Sequence, residues 1–325
     1  MNPNMIINAY HPPYDFEVIP LQREAEQAKS FAKEQHAPST RRAYQTDINL
    51  FEAWCLQRNL DYCPALPQTV AVFLSWAATT QQTSVSTLGR RVAAIKYVHQ
   101  LKGYESPTSS ELVKATLKGI RRTLGVAPNQ KAAATVDKIT DMLQGLPSTL
   151  RGKRDKALLL LGFAGAFRRS ELSALKVSDL EETEQGLRVI IRQSKTDQEG
   201  QGQEIAIYKG SRLFPVDAVK EWLQASQITE GYVFRSLLKG HKVSDQPLSP
   251  FSISVIVKTR AQQAGFLASD FSSHSLRSGF LTSAAENGAS LFKMMEVSRH
   301  KSVNTLKSYI RKANLFKDHA GEKFL

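Results

Sequence analysis

The sequence contains only two cysteines, Cys55 and Cys63, among 325 residues. Two thiols cannot complete a four-ligand zinc site, and they do not make a disulfide framework. Long apolar runs are also missing, because the longest, 157–166, has about half the length that a membrane helix needs. The N-terminus shows no basic region followed by an apolar run and a cleavage site. We therefore expect a cytoplasmic protein with reduced thiols and no bound metal.

Charge of one sign is in clear excess. The chain carries 43 Lys and Arg against 30 Asp and Glu, which gives a net charge of +13 and a pI near 9.7. Such an excess favours a polyanionic partner, with nucleic acid ahead of an acidic membrane. Residues 84–131 hold nine Lys or Arg and two acids, a net +7. Charge alone does not identify an enzyme, because repressors, nucleases and ribosomal proteins are equally basic.

The length suits two domains of ordinary size. Residues 1–37 contain two adjacent prolines and no sustained periodicity, and we interpret them as a loosely ordered arm. Residues 38–125 carry successive apolar stripes with helical spacing, which predict a compact helical domain. Residues 126–135 lack such a stripe and are expected to form a linker. The remainder, 136–325, mixes helices with strands and is expected to be a second domain.

The helical domain is expected to contain four helices, with Ser39 and Thr69 as N-caps of the first two. The outward faces of the third and fourth helices carry positive charge almost exclusively, whereas an ordinary solvated face mixes both signs. We therefore expect phosphate contacts there and at the start of the first helix. The expected DNA-binding residues are Ser39, Thr40, Arg41, Arg42, Arg90, Arg91, Lys96, Lys118, Arg121 and Arg122.

Five short elements follow one another in the second domain. They are Arg168-Arg169-Ser170-Glu171, Lys195, His274-Ser275-Leu276-Arg277, Arg299-His300-Lys301 and Ser308-Tyr309-Ile310. Lys195 lies between two segments with strand-like alternation, 187–192 and 203–208, and is therefore expected in a hairpin loop. Each element alone is a weak signal, since an Arg-x-x-Glu is usually a surface ion pair and a lone tyrosine usually packs. Their order along the chain carries the information.

The ordered set resembles the tyrosine recombinase, or phage integrase, family over roughly residues 38–325. The family pattern is Arg with Glu three residues later, a hairpin Lys, His-x-x-Arg, a His or Trp, and a Tyr nine residues further on. The spacing to Glu171 favours Arg168 as the first arginine, with Arg169 as the alternative. The resemblance implies a mostly α fold with a small antiparallel β-sheet. A helical, SAM-like core-binding domain would precede a mixed α+β catalytic domain.

The residue types suit attack on a phosphodiester. Two guanidiniums, from Arg168 and Arg277, can each donate two fixed hydrogen bonds to the charge that develops on the phosphate. The resemblance implies that Tyr309 is the nucleophile and forms a covalent 3′-phosphotyrosine. That ester conserves the bond energy, so no ATP or other cofactor is expected.

The same resemblance assigns the remaining residues. A free tyrosine with a pKa near 10 is mostly protonated and needs a base, for which His274 is the candidate as base or proton shuttle. Lys195 would be the general acid for the leaving 5′ oxygen, and His300 would hydrogen-bond the phosphate. Glu171 would support the site by orienting the arginine or its helix.

The resemblance also implies partners. They are double-stranded DNA with inverted-repeat half-sites and further copies of the chain, as a dimer on one site and a tetramer in a synapse with a Holliday junction. The segment 310–325 would dock on a neighbouring subunit, or else fray. Three alternatives stay open: a type IB-like topoisomerase, a catalytically silent or repressor-like DNA-binding protein, and an RNA-binding protein.

Overall fold

The computed structural model describes residues 21–125, 131–192 and 202–313. The chain divides into two compact units, Met1–Pro128 and Asn129–Leu325. In these described ranges, no helix combines the length and the apolar character that crossing a membrane requires. The units are described one after the other.

Helices alone build the described part of the first unit. They are α1 (Leu21–Glu34), α2 (Pro38–Leu56), α3 (Pro67–Thr79), α4 (Val85–Leu101) and α5 (Glu111–Leu124). Their buried faces share an aromatic core in which the rings of Phe51 and Phe73 lie 4.8 Å apart, centroid to centroid. Leu88, Ile95 and Val113 close this core from α4 and α5. The apolar stripes in the sequence therefore correspond to the faces that pack together.

Two features of this unit differ from the sequence-based expectation. Residues 21–34, placed in the loosely ordered arm, form α1, because their Ala, Glu, Gln and Lys residues favour a helix. The helices α2 and α3 begin at Pro38 and Pro67, before the starts that N-caps at Ser39 and Thr69 would give. Proline is favoured there because its fixed φ suits the helix and its missing N–H is not needed. Neither Ser39 nor Thr69 is therefore an N-cap.

The second unit combines helices with two small antiparallel sheets. Its helices are α6 (Val136–Leu143), α7 (Leu150–Ala164), α8 (Arg169–Ala174), α9 (Pro215–Ser226), α10 (Pro250–Gln263), α11 (Ser273–Glu286), α12 (Leu291–Ser298) and α13 (Val303–Ala313). Its strands are β1 (Leu180–Thr183), β2 (Gly186–Ile191), β3 (Gln203–Tyr208), β4 (Arg235–Leu237) and β5 (Val243–Pro247). The mostly helical fold with a small antiparallel sheet is confirmed.

The three-stranded sheet has the order β1-β2-β3. Within it, Leu187 lies opposite Ile207 and Val189 opposite Ile205, and all four side chains are buried on one face. This face packs into the main core together with the almost entirely buried α7. The loop between β2 and β3, which contains Lys195, lies outside the described residues.

Residues 131–135, placed in the linker, pack within the second unit. The backbone N–H of Ala132 donates to the carbonyl of Asp270 (2.7 Å), and that of Ala134 donates to Ser275 (2.9 Å). A Cβ added at Gly279 would lie 1.9 Å from the carbonyl oxygen of Ala134. These small side chains allow the backbone of the segment to lie close to α11. Because the segment is not itself a helix, a search for helical apolar stripes does not detect this packing.

The end of α9 provides a test of backbone strain. Gln227 caps this helix in the left-handed conformation, with φ 57° and ψ 28°, where a side chain is unfavourable and glycine is not. We expect Gln227→Gly to raise the free energy of unfolding by about 0.5–1 kcal/mol. Chemical denaturation followed by circular dichroism measures this difference. A lower free energy of unfolding in the variant would contradict the expectation.

Candidate active site

The first part of the site is the turn between α7 and α8. Arg168 stands directly before α8, and its Nη1 donates to Oε1 of Glu171 at 2.7 Å. The other oxygen of this carboxylate, Oε2, accepts the backbone N–H of Arg168 at 2.9 Å. The Arg169 side chain is exposed, whereas Arg168 is half-buried. The structure therefore distinguishes the two arginines and favours Arg168 as the residue of the site.

The helix α11 contributes His274 and Arg277 from one face, because residues three apart are neighbours on a helix. Its N-cap, Ser272, accepts the backbone N–H of His274 at 3.2 Å. Arg277 is 1% exposed, and its Nη1 donates to the carbonyl of Ala166 at 2.7 Å. This bond joins α11 to the turn that carries Arg168.

The third part follows α12. Nη2 of Arg277 lies 3.3 Å from the ring of His300, whose Nδ1 lies 2.7 Å from the hydroxyl of Ser298. Burial, followed by the positive charge of Arg277, lowers the pKa of His300 to about 3. The imidazole of His300 is therefore neutral at physiological pH, and Ser298 and Arg277 fix its position.

Tyr309 lies on α13, whose apolar side packs on α11 and α12. Its ring is half-buried against a small cluster that contains Leu281, Met294 and Leu306. Burial raises the pKa of Tyr309, and the charge of Arg277 opposes this effect. The phenol is therefore protonated at neutral pH and needs a proton acceptor before it can attack.

The remaining titratable groups adjust to the accumulated positive charge. The imidazole of His274 is exposed at the edge of the site, yet the surrounding protein atoms, followed by Arg277 and Arg168, lower its pKa. Burial, followed by the charges of Arg168 and Arg299, lowers the pKa of Arg277 to about 9. At neutral pH the site therefore holds neutral histidines and charged arginines, which suits a phosphate anion.

One residue of the site was not singled out in the sequence. Arg299 is 4% exposed, and its Nη2 donates to Oε2 of Glu171 at 2.7 Å and to the carbonyl of Ala166 at 3.0 Å. Its Nη1 donates to the carbonyl of Gly165 at 3.0 Å. The only signal in the sequence was its place beside His300, because the partner Glu171 lies 128 residues earlier.

The structure therefore gathers most of the predicted site residues within the second unit. Six lie on neighbouring elements that hydrogen bonds, packing or electrostatic interaction connect: Arg168, Glu171, His274, Arg277, His300 and Tyr309. Lys195 lies outside the described residues.

The residues expected to bind DNA lie in the first unit and fall into two groups. In the first group, basic side chains bond to acids: Arg90 pairs with the buried Asp47 at 2.7 Å, and Arg41 pairs with Glu34 at 2.6 Å. Arg91, whose side chain is 12% exposed, also faces Asp47 at 3.7 Å. These contacts give Arg90 and Arg91 a structural role that the charge pattern did not reveal.

The second group is exposed. Within residues 21–125 of the structure, these basic side chains form no ion pair: Arg42, Lys96, Lys118, Arg121 and Arg122. Ser39 is exposed and Thr40 half-buried at the start of α2. The charges of this group are therefore available to a polyanion.

Comparison with known proteins places this fold and site. Residues 133–315 match the Phage integrase family, and residues 30–105 match the Phage integrase, N-terminal SAM-like domain. An integrase/recombinase xerD homolog of Selenomonas ruminantium is 35% identical over 301 residues, which cover 90% of this chain and 87% of that protein. The recombinase cre of Escherichia phage P1 is 24% identical and covers 80% of each chain.

Solved structures share the fold. A lambda integrase dimer bound to a COC′ core site superposes with a TM-score of 0.58 and 16% identity, covering 90% of this chain and 81% of that one. Fold and relatives together define the class: a tyrosine site-specific recombinase, which is an enzyme of DNA recombination. The chain belongs to the phage integrase family.

Proposed function

We propose that this recombinase cleaves duplex DNA through a covalent 3′-phosphotyrosine at Tyr309 and exchanges strands through a Holliday junction. The observation that carries the proposal is that Arg168, Arg277 and Tyr309 come together. Arg168 belongs to the turn 165–168, and Arg277 donates to the carbonyl of Ala166 in that turn. Tyr309 on α13 is close enough to interact electrostatically with Arg277. Two fixed guanidiniums beside a phenol supply what phosphoryl transfer needs: charge stabilisation and a nucleophile.

In the proposed step, the Tyr309 oxygen attacks the phosphorus while the bond from phosphorus to the 5′ oxygen breaks. Arg168 and Arg277 bind the non-bridging oxygens, on which negative charge accumulates. The products are a phosphotyrosine on the 3′ side and a free 5′ hydroxyl. Attack by the 5′ hydroxyl of another strand then reverses the chemistry and releases Tyr309, so no cofactor is consumed.

Protons move at two places in this step. His274 accepts the proton of the Tyr309 hydroxyl, either directly or through water, since its lowered pKa keeps it neutral and able to accept. Lys195 gives a proton to the leaving 5′ oxygen. The proposed role of His300, whose ring is held by Ser298 and Arg277, is a hydrogen bond with the phosphate. Glu171 holds Arg168 in place.

The proposed assembly is the one that the resemblance to the phage integrase family implies, and a lambda integrase dimer bound to a core site supports its first stage. Two protomers would bind one inverted-repeat site, and four would form the synapse. The segment 310–325, of which residues 314–325 lie outside the described part of the structure, would dock on a neighbouring subunit. The exposed basic residues of the first unit would contact phosphates, together with Ser39 and Thr40. We place this activity in the cytoplasm.

The test is to trap covalent protein–DNA complexes under denaturing conditions. The DNA is a pool of duplexes that surround the gene and of randomised inverted repeats. We expect an adduct that is enriched for one inverted repeat. An adduct formed equally on all duplexes would instead support a topoisomerase, and tight binding with no adduct would support a DNA-binding protein without activity.

The pH dependence of cleavage tests the role of His274. The pKa of this group in the folded protein lies below its ordinary value of 6.5, so the neutral form predominates at and above that pH. We expect the single-turnover cleavage rate to stay level from pH 8 to 6.5 and to fall below pH 6.5, as protonation removes the acceptor. A fall between pH 8 and 7, or an unchanged acid limb in His274→Gln, would contradict this role.

The salt dependence of binding tests the basic face. A plot of log affinity against log salt concentration has a negative slope, and removing one phosphate contact is expected to make that slope less steep by about 1. We expect this change in Lys118→Ala and in Arg122→Ala, measured by fluorescence anisotropy. Lys114→Ala is the matched control on the same helix, because its ammonium already pairs with Glu111 at 2.7 Å. Equal slopes in all three variants would contradict the assignment.

A further inference from the structure

Arg299 has no role in the proposed chemistry, although four hydrogen bonds from Nη1 and Nη2 hold its guanidinium. Besides Glu171 and the carbonyls of Gly165 and Ala166, its guanidinium donates to the carbonyl of Val297 at 2.6 Å. Its backbone carbonyl in turn accepts from Nη2 of Arg168 at 3.4 Å. The residue thus joins the end of α12 to the turn before α8.

The backbone at this position makes the side chain notable. Arg299 adopts the left-handed conformation, with φ 57° and ψ 40°, at the end of α12. Glycine would adopt that conformation without strain, whereas an arginine incurs a conformational cost. A buried charge adds a desolvation cost, which hydrogen bonds and an opposite charge offset, here at Nη1 and Nη2, while Nε has no hydrogen-bond partner in the described structure. The contacts of the guanidinium with Glu171 and the carbonyls are therefore what keeps this arginine in place.

We propose that Arg299 is a positioning residue that balances the charge of Glu171, so that Arg168 keeps its positive charge for the scissile phosphate. This inference rests on the proposed function. It assigns to Arg299 a role through Glu171, because its buried guanidinium bonds to the turn and to Glu171 and need not contact DNA.

The formal charges explain the consequence. Three arginines and one glutamate give the cluster of Arg168, Arg277, Arg299 and Glu171 a net charge of +2, while its histidine His300 is neutral. Without Arg299, the carboxylate would be shared by one arginine fewer, and the net charge would fall to +1. The carboxylate of Glu171 would then compete directly with the phosphate for Arg168. Electrostatic stabilisation of the transition state depends on this surplus of positive charge.

The experiment is a double-mutant cycle with Arg299→Gly and Glu171→Gln. The probe is the duplex that the wild-type protein enriches as an adduct, and the readout is the single-turnover rate of adduct formation. We expect Arg299→Gly to slow cleavage by about tenfold to a hundredfold, the range that misplaced catalytic groups produce. Affinity for the duplex is expected to stay within about twofold, since Arg299 is buried.

The second half of the cycle separates charge balance from simple packing. In the Glu171→Gln background no carboxylate needs neutralising, so Arg299→Gly is expected to slow cleavage less than threefold further. If Arg299 only braces the carbonyls of Gly165 and Ala166, its loss costs the same factor in both backgrounds, and the inference fails. Arg299→Lys, which keeps the charge but lacks the planar fork, is expected to restore part of the rate.

Two controls keep the result interpretable. Gln227→Gly places a glycine at the same φ of 57°, far along the chain from the site, and reports what the relief of backbone strain does alone. Circular dichroism and thermal melting verify folding; if Arg299→Gly does not fold, Arg299→Gln, which also removes the charge, takes its place in the cycle. A wild-type protein without any adduct would refute the proposed function itself, whereas adducts formed equally fast by wild type and Arg299→Gly would refute only this inference.

Discussion

Tyr309→Phe is expected to abolish covalent adducts completely while it leaves DNA binding within about twofold of wild type. The substitution removes one hydroxyl and keeps the ring that packs against Leu281, Met294 and Leu306. Without that oxygen, no ester to the phosphate can form, whatever the state of the arginines. Denaturing electrophoresis measures the adduct, and anisotropy on the same duplex measures binding.

The matched control for this variant is Tyr208→Phe. Tyr208 lies on β3 of the same unit, 75% exposed, and belongs to no part of the site. We expect its adduct to form at the wild-type rate. Adducts that persist in Tyr309→Phe would show that another residue is the nucleophile, and adducts lost in both variants would indicate a general defect.

Arg277→Lys is expected to have the second largest effect, a loss of cleavage on the order of a hundredfold to a thousandfold. Arg277 uses Nη1 for the carbonyl of Ala166 and Nη2 for the ring of His300, so its planar group is fixed between them. A lysine keeps a positive charge but presents a compact ammonium that cannot span these partners and the phosphate. A positive charge at position 277 is therefore not sufficient for cleavage at the wild-type rate.

A second buried arginine provides the control. Arg260 is 6% exposed, and its Nε donates to Asp155 at 3.0 Å, apart from the catalytic cluster. We expect Arg260→Lys to lower the melting temperature, yet to cleave at the wild-type rate per folded molecule. A similar loss of rate in both variants would mean that the effect at Arg277 arises from destabilisation.

The site residues that could be predicted stand in short local motifs, and the order of these motifs along the chain, through its resemblance to the phage integrase family, identified them. Arg168 and Glu171 are the N-cap and the third residue of α8, where capping brings them together, and His274 and Arg277 lie three residues apart on one face of α11. The alternation around β2 and β3 is equally local, and it predicted the hairpin. Such spacings can be recognised in the sequence because a single turn or strand determines them.

The features that could not be predicted depend on distant partners. Arg299 is a site residue because of Glu171, and Arg90 is a structural residue because of Asp47, 43 residues earlier. The segment 131–135 packs against α11 because Gly279 has no side chain at the point of contact. Each of these contacts depends on how the helices pack, which the spacing of residues along the chain does not show.

The central claim is that this chain joins itself to DNA through Tyr309. The most direct measurement is to digest the wild-type adduct with protease and nuclease and to locate the nucleotide by mass spectrometry. We expect a single modified peptide, with the nucleotide on Tyr309 and bonded through its 3′ phosphate, and a free 5′ hydroxyl on the other DNA fragment. A nucleotide on any other residue, or a bond through a 5′ phosphate, would contradict it.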